Sequence, residues 1–191
     1  MGDFGDWTNY KRTYAVRGER GHIVLSYPHG LPEHPMPYWS EVWTGLEYVY
    51  AMGLAQSGQR ELAEDVAAAA RERFSGARRN PFDEAECGHH YARAMSSWGL
   101  VVAMTGFGYD GCNGVMSFAA AETPTRWFWS NGAAWGTLRQ TFGPSGARRA
   151  ELEVAHGPVR VERVLIGGTA LYPSSPGVLV AGAAYELGPE S

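Results

Sequence analysis

The stretch NPFDEAECGHHYARAMSSWG, Asn80 to Gly99, sets three carboxylates, two imidazoles and a guanidinium at the entrance of an apolar pattern of helical period. Asn80-Pro81 ends any helix before it, and Asp83 and Glu84 suit the positive end of a new one. Tyr91, Met95, Trp98 and Val102 then recur at helical spacing, which predicts a helix from about Glu86 to Thr105 with that face in the core. A helix built only for packing has little use for such an entrance, because an unpaired charge near an interior is costly to desolvate. The crowding points to a site.

Glu84 and Arg93 are the pair of interest. A carboxylate only accepts hydrogen bonds and a guanidinium only donates them, so the two together can clamp vicinal hydroxyls. The plain alternative is a solvated ion pair at a helix start, contributing about 0–1 kcal/mol. A metal site is not expected. Glu86 and His89 have the spacing used by di-iron helices, but a second copy and further carboxylates are missing. Cys87 beside His89 and His90 lacks the paired spacing of structural zinc.

Working outward, Ser40 suits an N-cap and a helix is expected from there to about Gln56, with Val42, Leu46, Val49 and Tyr50 on one apolar face and Trp43 and Glu47 on another. Trp43 reads either as core or as a binding surface. A second, alanine-rich helix is expected from about Arg60 to Phe74, with Leu62, Val66, Ala70 and Phe74 inward and Gly76 as its stop. Before these, Thr13–Val16 and His22–Tyr27 flank RGERG and predict a hairpin, followed by the extended loop YPHGLPEHPMPY carrying His29 and His34.

After Gly111 the period changes. VMSF, RWFWS, AWGTLRQTF, AELEVAH, VRVERVLI and GVLVAGAAY are short, β-branched or aromatic, and separated by Gly, Pro and Ser, which predicts an antiparallel β region. Glu151–His156 and Val159–Ile166 are expected to form a hairpin across Gly157-Pro158, with Leu152 and Val154 packing near Val159 and Val161. Trp127, Phe128, Trp129 and Trp135 suggest sugar stacking, yet consecutive strand residues face opposite ways, so part of the set must be core or interface.

With 45% apolar and 13% aromatic residues the chain is globular in composition rather than disordered. A net charge of −4, with arginines scattered among acids, gives no footprint for nucleic acid. No segment reads as a secretory leader or a membrane span, and two cysteines, Cys87 and Cys112, cannot make a disulfide framework. A cytoplasmic protein with free, buried thiols is expected. No cofactor motif is present in the sequence.

The segments PYWSEVWTGLEYVYAM (Pro37–Met52), RRNPFDEAECGHHYARAMSSWGL (Arg78–Leu100) and TGFGYDG (Thr105–Gly111) resemble, in order, the closing part of the catalytic domain of glycoside hydrolase family 116. That family includes non-lysosomal glucosylceramidases, also called bile-acid β-glucosidases. The likeness runs from about Tyr14 to Gly111. It implies an α+β chain: residues 1–111 as the last arc of an (α/α)6 barrel with a leading hairpin, and 112–191 as an antiparallel β region.

It further implies that Glu84 and Arg93, which keep the family's nine-residue spacing, bind outer hydroxyls of a glucosyl unit, and that Trp43 walls the glucose subsite. No residue of the chain is expected to be catalytic. A retaining glycosidase needs two carboxyls about 5 Å apart, and in the family both lie upstream of the region matched here. Asp83, Glu84 and Glu86 are better read as a helix-start cluster plus one substrate ligand. The partners implied are a glucoside substrate and the enzyme's own N-terminal region, whose absence would leave an apolar helical face exposed. The competing expectation is a non-catalytic carbohydrate-binding or interaction module.

Overall fold

The computed structural model describes residues 2–3, 14–16, 18–86, 88–91 and 93–190, and these form two compact units, the first ending at Met104 and the second beginning at Thr105. In the first, β1 (Gly2–Asp3) pairs antiparallel with β2 (Arg20–Gly21), and α1 (Thr44–Gln56) is followed by α2 (Arg60–Arg73). Ser57-Gly58-Gln59 joins the two helices. Gly58 adopts φ +84°, a left-handed value that glycine reaches without strain, and the Gln59 amide donates back to the Leu54 carbonyl at 2.8 Å. A link this short sets the helices antiparallel.

Ala51 and Leu54 of α1 pack on Ala63 and Val66 of α2, with Leu100 and Met104 laid against them. Those last two belong to α3 (Ser97–Thr105), which follows a single 3-10 turn, Arg93–Ser96. At its far end the Met104 carbonyl accepts a 2.6 Å hydrogen bond from Arg60 Nη2, as suits a cation near a helix C-terminus.

Helix existence was legible in this unit, but helix facing was not. α1 buries Thr44, Glu47, Tyr48, Ala51 and Leu54, while the expected inward residues Leu46, Val49 and Tyr50 are exposed. The reason is Glu47, drawn inside by Arg73 from 26 residues away, which rotates the apolar stripe outward. α2 matches its expected face at Val66, Ala70 and Phe74, but Leu62 is exposed. The helix expected to begin near Glu86 begins only at Ser97, after the 3-10 turn Arg93–Ser96, and its predicted core face, Tyr91, Met95, Trp98 and Val102, is exposed.

The expected leading hairpin does not form among the described residues. Arg20–Gly21 pairs with β1, Ile23 bridges Val42, and Val24 and Leu25 donate to the carbonyls of Glu41 and Trp39. Thr13 and Arg17 lie outside the described residues.

The second unit holds the strands β3 (Gly108–Asp110), β4 (Val115–Phe118), β5 (Thr125–Ser130), β6 (Trp135–Phe142), β7 (Arg148–His156), β8 (Val159–Val161), β9 (Arg163–Ile166), β10 (Thr169–Pro173), β11 (Gly177–Leu179) and β12 (Ala183–Gly188). Eight of them make one sheet in the order β3-β4-β9-β10-β12-β7-β6-β5, and β11 pairs with β8. The sheet is mixed, because β4 runs parallel to β9 while the other pairs are antiparallel. A parallel pair needs a long crossover, and here the chain between Phe118 and Arg163 supplies it, carrying β5 to β8 on the way.

Met116, Phe118, Trp129, Leu138, Leu152, Val154, Val159, Val161, Val164, Ile166 and Leu179 form one buried apolar cluster. Gln140, wholly buried within the unit, binds the Ala121 amide at 3.1 Å and the Ala119 carbonyl at 2.9 Å, so both ends of its amide are used.

These elements overturn the expected (α/α)6 arc followed by an antiparallel β region. Three α-helices occur among the described residues, strands make up the larger part of the regular structure, and eight of those strands form one mixed sheet. The expected hairpin across Gly157-Pro158 is also corrected. β7 lies between β6 and β12, and β8 turns away to β11, although Leu152, Val154, Val159 and Val161 do share one core.

Candidate functional site

Three consecutive residues at the entrance of α1 organise the site. Trp43 occupies the N-cap position in extended conformation, and its carbonyl accepts the first helical bond from the Glu47 amide at 3.0 Å. Its half-buried indole donates from Nε1 to Glu41 Oε2 at 2.7 Å, a charge-assisted bond to a carboxylate that is 1% exposed. Thr44, next in sequence and buried, donates from Oγ1 to Glu84 Oε2 at 3.0 Å. Gly45 then admits the stem of Arg93: a Cβ there would lie 3.2 Å from Arg93 Cβ.

The segment that brings Glu84 and Arg93 to α1 is a side-chain-organised loop rather than the start of a helix. Asn80 Oδ1 accepts the Phe82 amide at 3.0 Å, and Asp83 Oδ1 takes the His90 amide at 2.8 Å. The His89 ring stands 3.2 Å from Asp83 as well, and together these contacts hold the Asp83 carboxyl below its usual range, the His90 amide contributing most. His90 sits at φ +60°, Tyr91 donates to the Glu84 carbonyl at 3.1 Å, and Glu86 donates to that of Gly88 at 3.0 Å. Short polar side chains that capture nearby amides compete with helix in this way.

Arg93 has a half-exposed side chain with Nε 3.3 Å from Glu86 Oε1 and its guanidinium 5.2 Å from the Tyr91 ring centre. Glu84 and Arg93 are thus each brought to the entrance of α1, Glu84 through the Thr44 hydroxyl and Arg93 by its stem against Gly45, rather than by an ion pair with each other. The carboxyl of Glu86 is raised above its usual value, first by burial and then by the negative charges of Glu84 and Glu41, with Arg93 opposing. Its Oε2 is buried without a hydrogen-bond partner. The result is a grouping of three buried acids, one guanidinium and one indole, with the acceptors inside and the donor half in solvent.

Of the residues singled out from sequence, Trp43 is the N-cap of α1, Glu84 binds Thr44 and the Arg93 stem lies against Gly45, so the three are placed at adjacent positions of one helix entrance. Glu41 and Glu86 were not singled out as ligand-holding groups. Both are nevertheless buried. His29 and His34 are exposed. Cys112 is exposed, which corrects the expected buried thiol, and Cys87 lies outside the described residues. No grouping of three or more His, Cys, Asp or Glu able to hold a metal ion occurs among the described residues.

Sequence reading also missed the staple beneath α1. Arg73 Nη1 and Nη2 both bind Glu47, Nη1 also reaches the Arg20 carbonyl at 2.6 Å, and the His22 amide donates to Glu47 Oε1 at 3.0 Å. Position 73 falls one heptad after Val66 on the buried stripe of α2, and that spacing alone marks it as an internal arginine.

On the β unit, Trp129 is 1% exposed while its neighbour Phe128 is 45% exposed, as alternation requires. Trp127 packs on the core, and Trp135 stands outside, stacked on His156 at 6.0 Å. No helix among the described residues is long and apolar enough to cross a membrane. No family model and no curated protein matches the chain.

Proposed function

We propose that the chain supplies the glucose-binding residues of a retaining β-glucosidase or glucosylceramidase-type glycoside hydrolase, with the nucleophile and acid/base carboxylates carried by sequence upstream of it. The observation that carries this reading is the gathering of Trp43, Glu84 and Arg93 at residues 43 to 45 of α1. An apolar ring beside fixed acceptors and a bidentate donor is the chemistry that holds a pyranose, whose faces are apolar and whose rim is hydroxyl. Glu84 accepts from one hydroxyl, Arg93 donates to its neighbour, and the indole of Trp43 walls the ring. Glu41 orients that indole from below.

The isolated chain is expected to bind a β-glucoside weakly and not to hydrolyse it. Titration of the 191-residue chain with methyl β-glucoside, followed by the Trp43 indole resonance, tests this. Saturable shifts that weaken in Glu84→Ala and Arg93→Ala support the reading. No shift at any concentration, or equal binding in all three proteins, defeats it.

Exposed Phe128 and Trp135 favour a second reading, a carbohydrate-binding module that holds a glycan without cleaving it. In that case the shifts appear at Trp135 and not at Trp43.

A further inference from the structure

We propose that Glu86 is itself a ligand-binding group of this site, with Oε1 holding Arg93 and Oε2 accepting a hydrogen bond from a hydroxyl of the bound sugar. The inference rests on the glucoside reading and extends it to a residue that the resemblance does not single out. The Glu86 side chain is 6% exposed, and one of its oxygens lies 3.3 Å from Arg93 Nε. The other is buried and has no hydrogen-bond partner. Buried carboxylate oxygens seldom stay without a donor, since the desolvation is then uncompensated, and an unfilled acceptor in a built site marks the place of a missing donor.

Glu84 differs in this respect, because its Oε2 accepts the Thr44 hydroxyl supplied from the entrance of α1. Glu86 receives only Arg93, from its own loop. Its main chain is held by the bridge between Glu86 and Gly88, and its carboxylate by Arg93 at Oε1. Among the described residues these acids do not form a grouping able to hold a metal ion. A neutral hydroxyl supplies the donor without adding charge, and a sugar presents its next hydroxyl close to the one that Arg93 engages.

The test is a thermodynamic cycle on the 191-residue chain. Methyl β-glucoside and its 2-, 3-, 4- and 6-deoxy analogues are titrated into the wild type and into Glu86→Gln, with the Trp43 indole resonance as readout and circular dichroism as the check on folding. One deoxy analogue should bind the wild type about tenfold more weakly than the parent, and Glu86→Gln, whose amide oxygen accepts without the charge, should shrink that one difference while leaving the others. If Glu86→Gln weakens every analogue by the same factor, Glu86 only positions Arg93 and the inference is overturned, with the glucoside reading intact. If the wild type binds none of the sugars, both fall. Should Glu86→Gln not fold, Glu86→Asp, which keeps the charge and withdraws the oxygen, replaces it in the same cycle.

Discussion

The two units invert each other's use of polarity. Among the described residues, the first buries Glu19, Glu41, Glu47, Arg73, Glu84 and Glu86 while leaving Leu46, Val49, Tyr50, Trp98 and Val102 in solvent. The second buries a continuous apolar cluster and, of polar side chains, only Thr105 and Gln140. One unit thus follows the ordinary rule for a folded interior and the other departs from it. Buried charge contributes little net stability, and of these acids Glu41, Glu84 and Glu86 belong to the proposed site while Glu47 belongs to the staple with Arg73.

The contrast breaks most sharply at Arg73. Arg73→Ala should destabilise the first unit by about 3–5 kcal/mol in urea denaturation, because Glu47 is left buried without its partner. The double variant with Glu47→Ala should regain much of that loss. Equal losses in the single and double variants would show that the interior is not organised by this pair. In the second unit Leu152→Ala should lose about 2–5 kcal/mol by cavity formation, and no second substitution should restore it.

Binding comes next in size. Arg93→Ala and Glu84→Ala should each remove a charged hydrogen bond worth about 1.5–3 kcal/mol of sugar affinity, read by the same titration, while leaving the melting of the second unit unchanged.

The units should also respond to pH with opposite signs. Glu86 has its carboxyl raised by burial, so the folded state keeps a proton that the unfolded chain has already released. Its contribution is fully present below the usual carboxylate value and is lost as pH rises through the raised folded one. Glu153 in the second unit is lowered, first by the Thr137 hydroxyl and then by Arg126, so its contribution is present above the usual value and disappears as pH falls. Denaturation midpoints against pH, with Glu86→Gln and Glu153→Gln, should each flatten one limb. The smallest effect belongs to the exposed Arg126–Glu153 pair, where Arg126→Ala should change stability by about 0–1 kcal/mol.

How much of this was readable in the chain depended on range. α1, α2 and the β region follow local patterns, and the alternation of Phe128 and Trp129 was foreseeable from strand geometry. What escaped is non-local or side-chain-directed. The buried face of α1 depends on an arginine 26 residues away, and the mixed sheet depends on β4 meeting β9. The loop from Asn80 to Tyr91 carries helical spacing, yet Asn80 and Asp83 capture the amides that a helix would need. Glu84 and Arg93 stood out from their residue types and Trp43 was marked by the resemblance, whereas the unfilled oxygen of Glu86 is visible only in three dimensions.

Gly45 has a consequence for anyone mutating this protein at random. A side chain there meets the Arg93 stem at 3.2 Å. Alanine asks that stem to yield by a few tenths of an ångström, and anything bulkier evicts it from the helix wall. A saturation screen scored on glucoside capture should therefore find position 45 as unforgiving as position 93. The same library scored on expression alone should find it permissive.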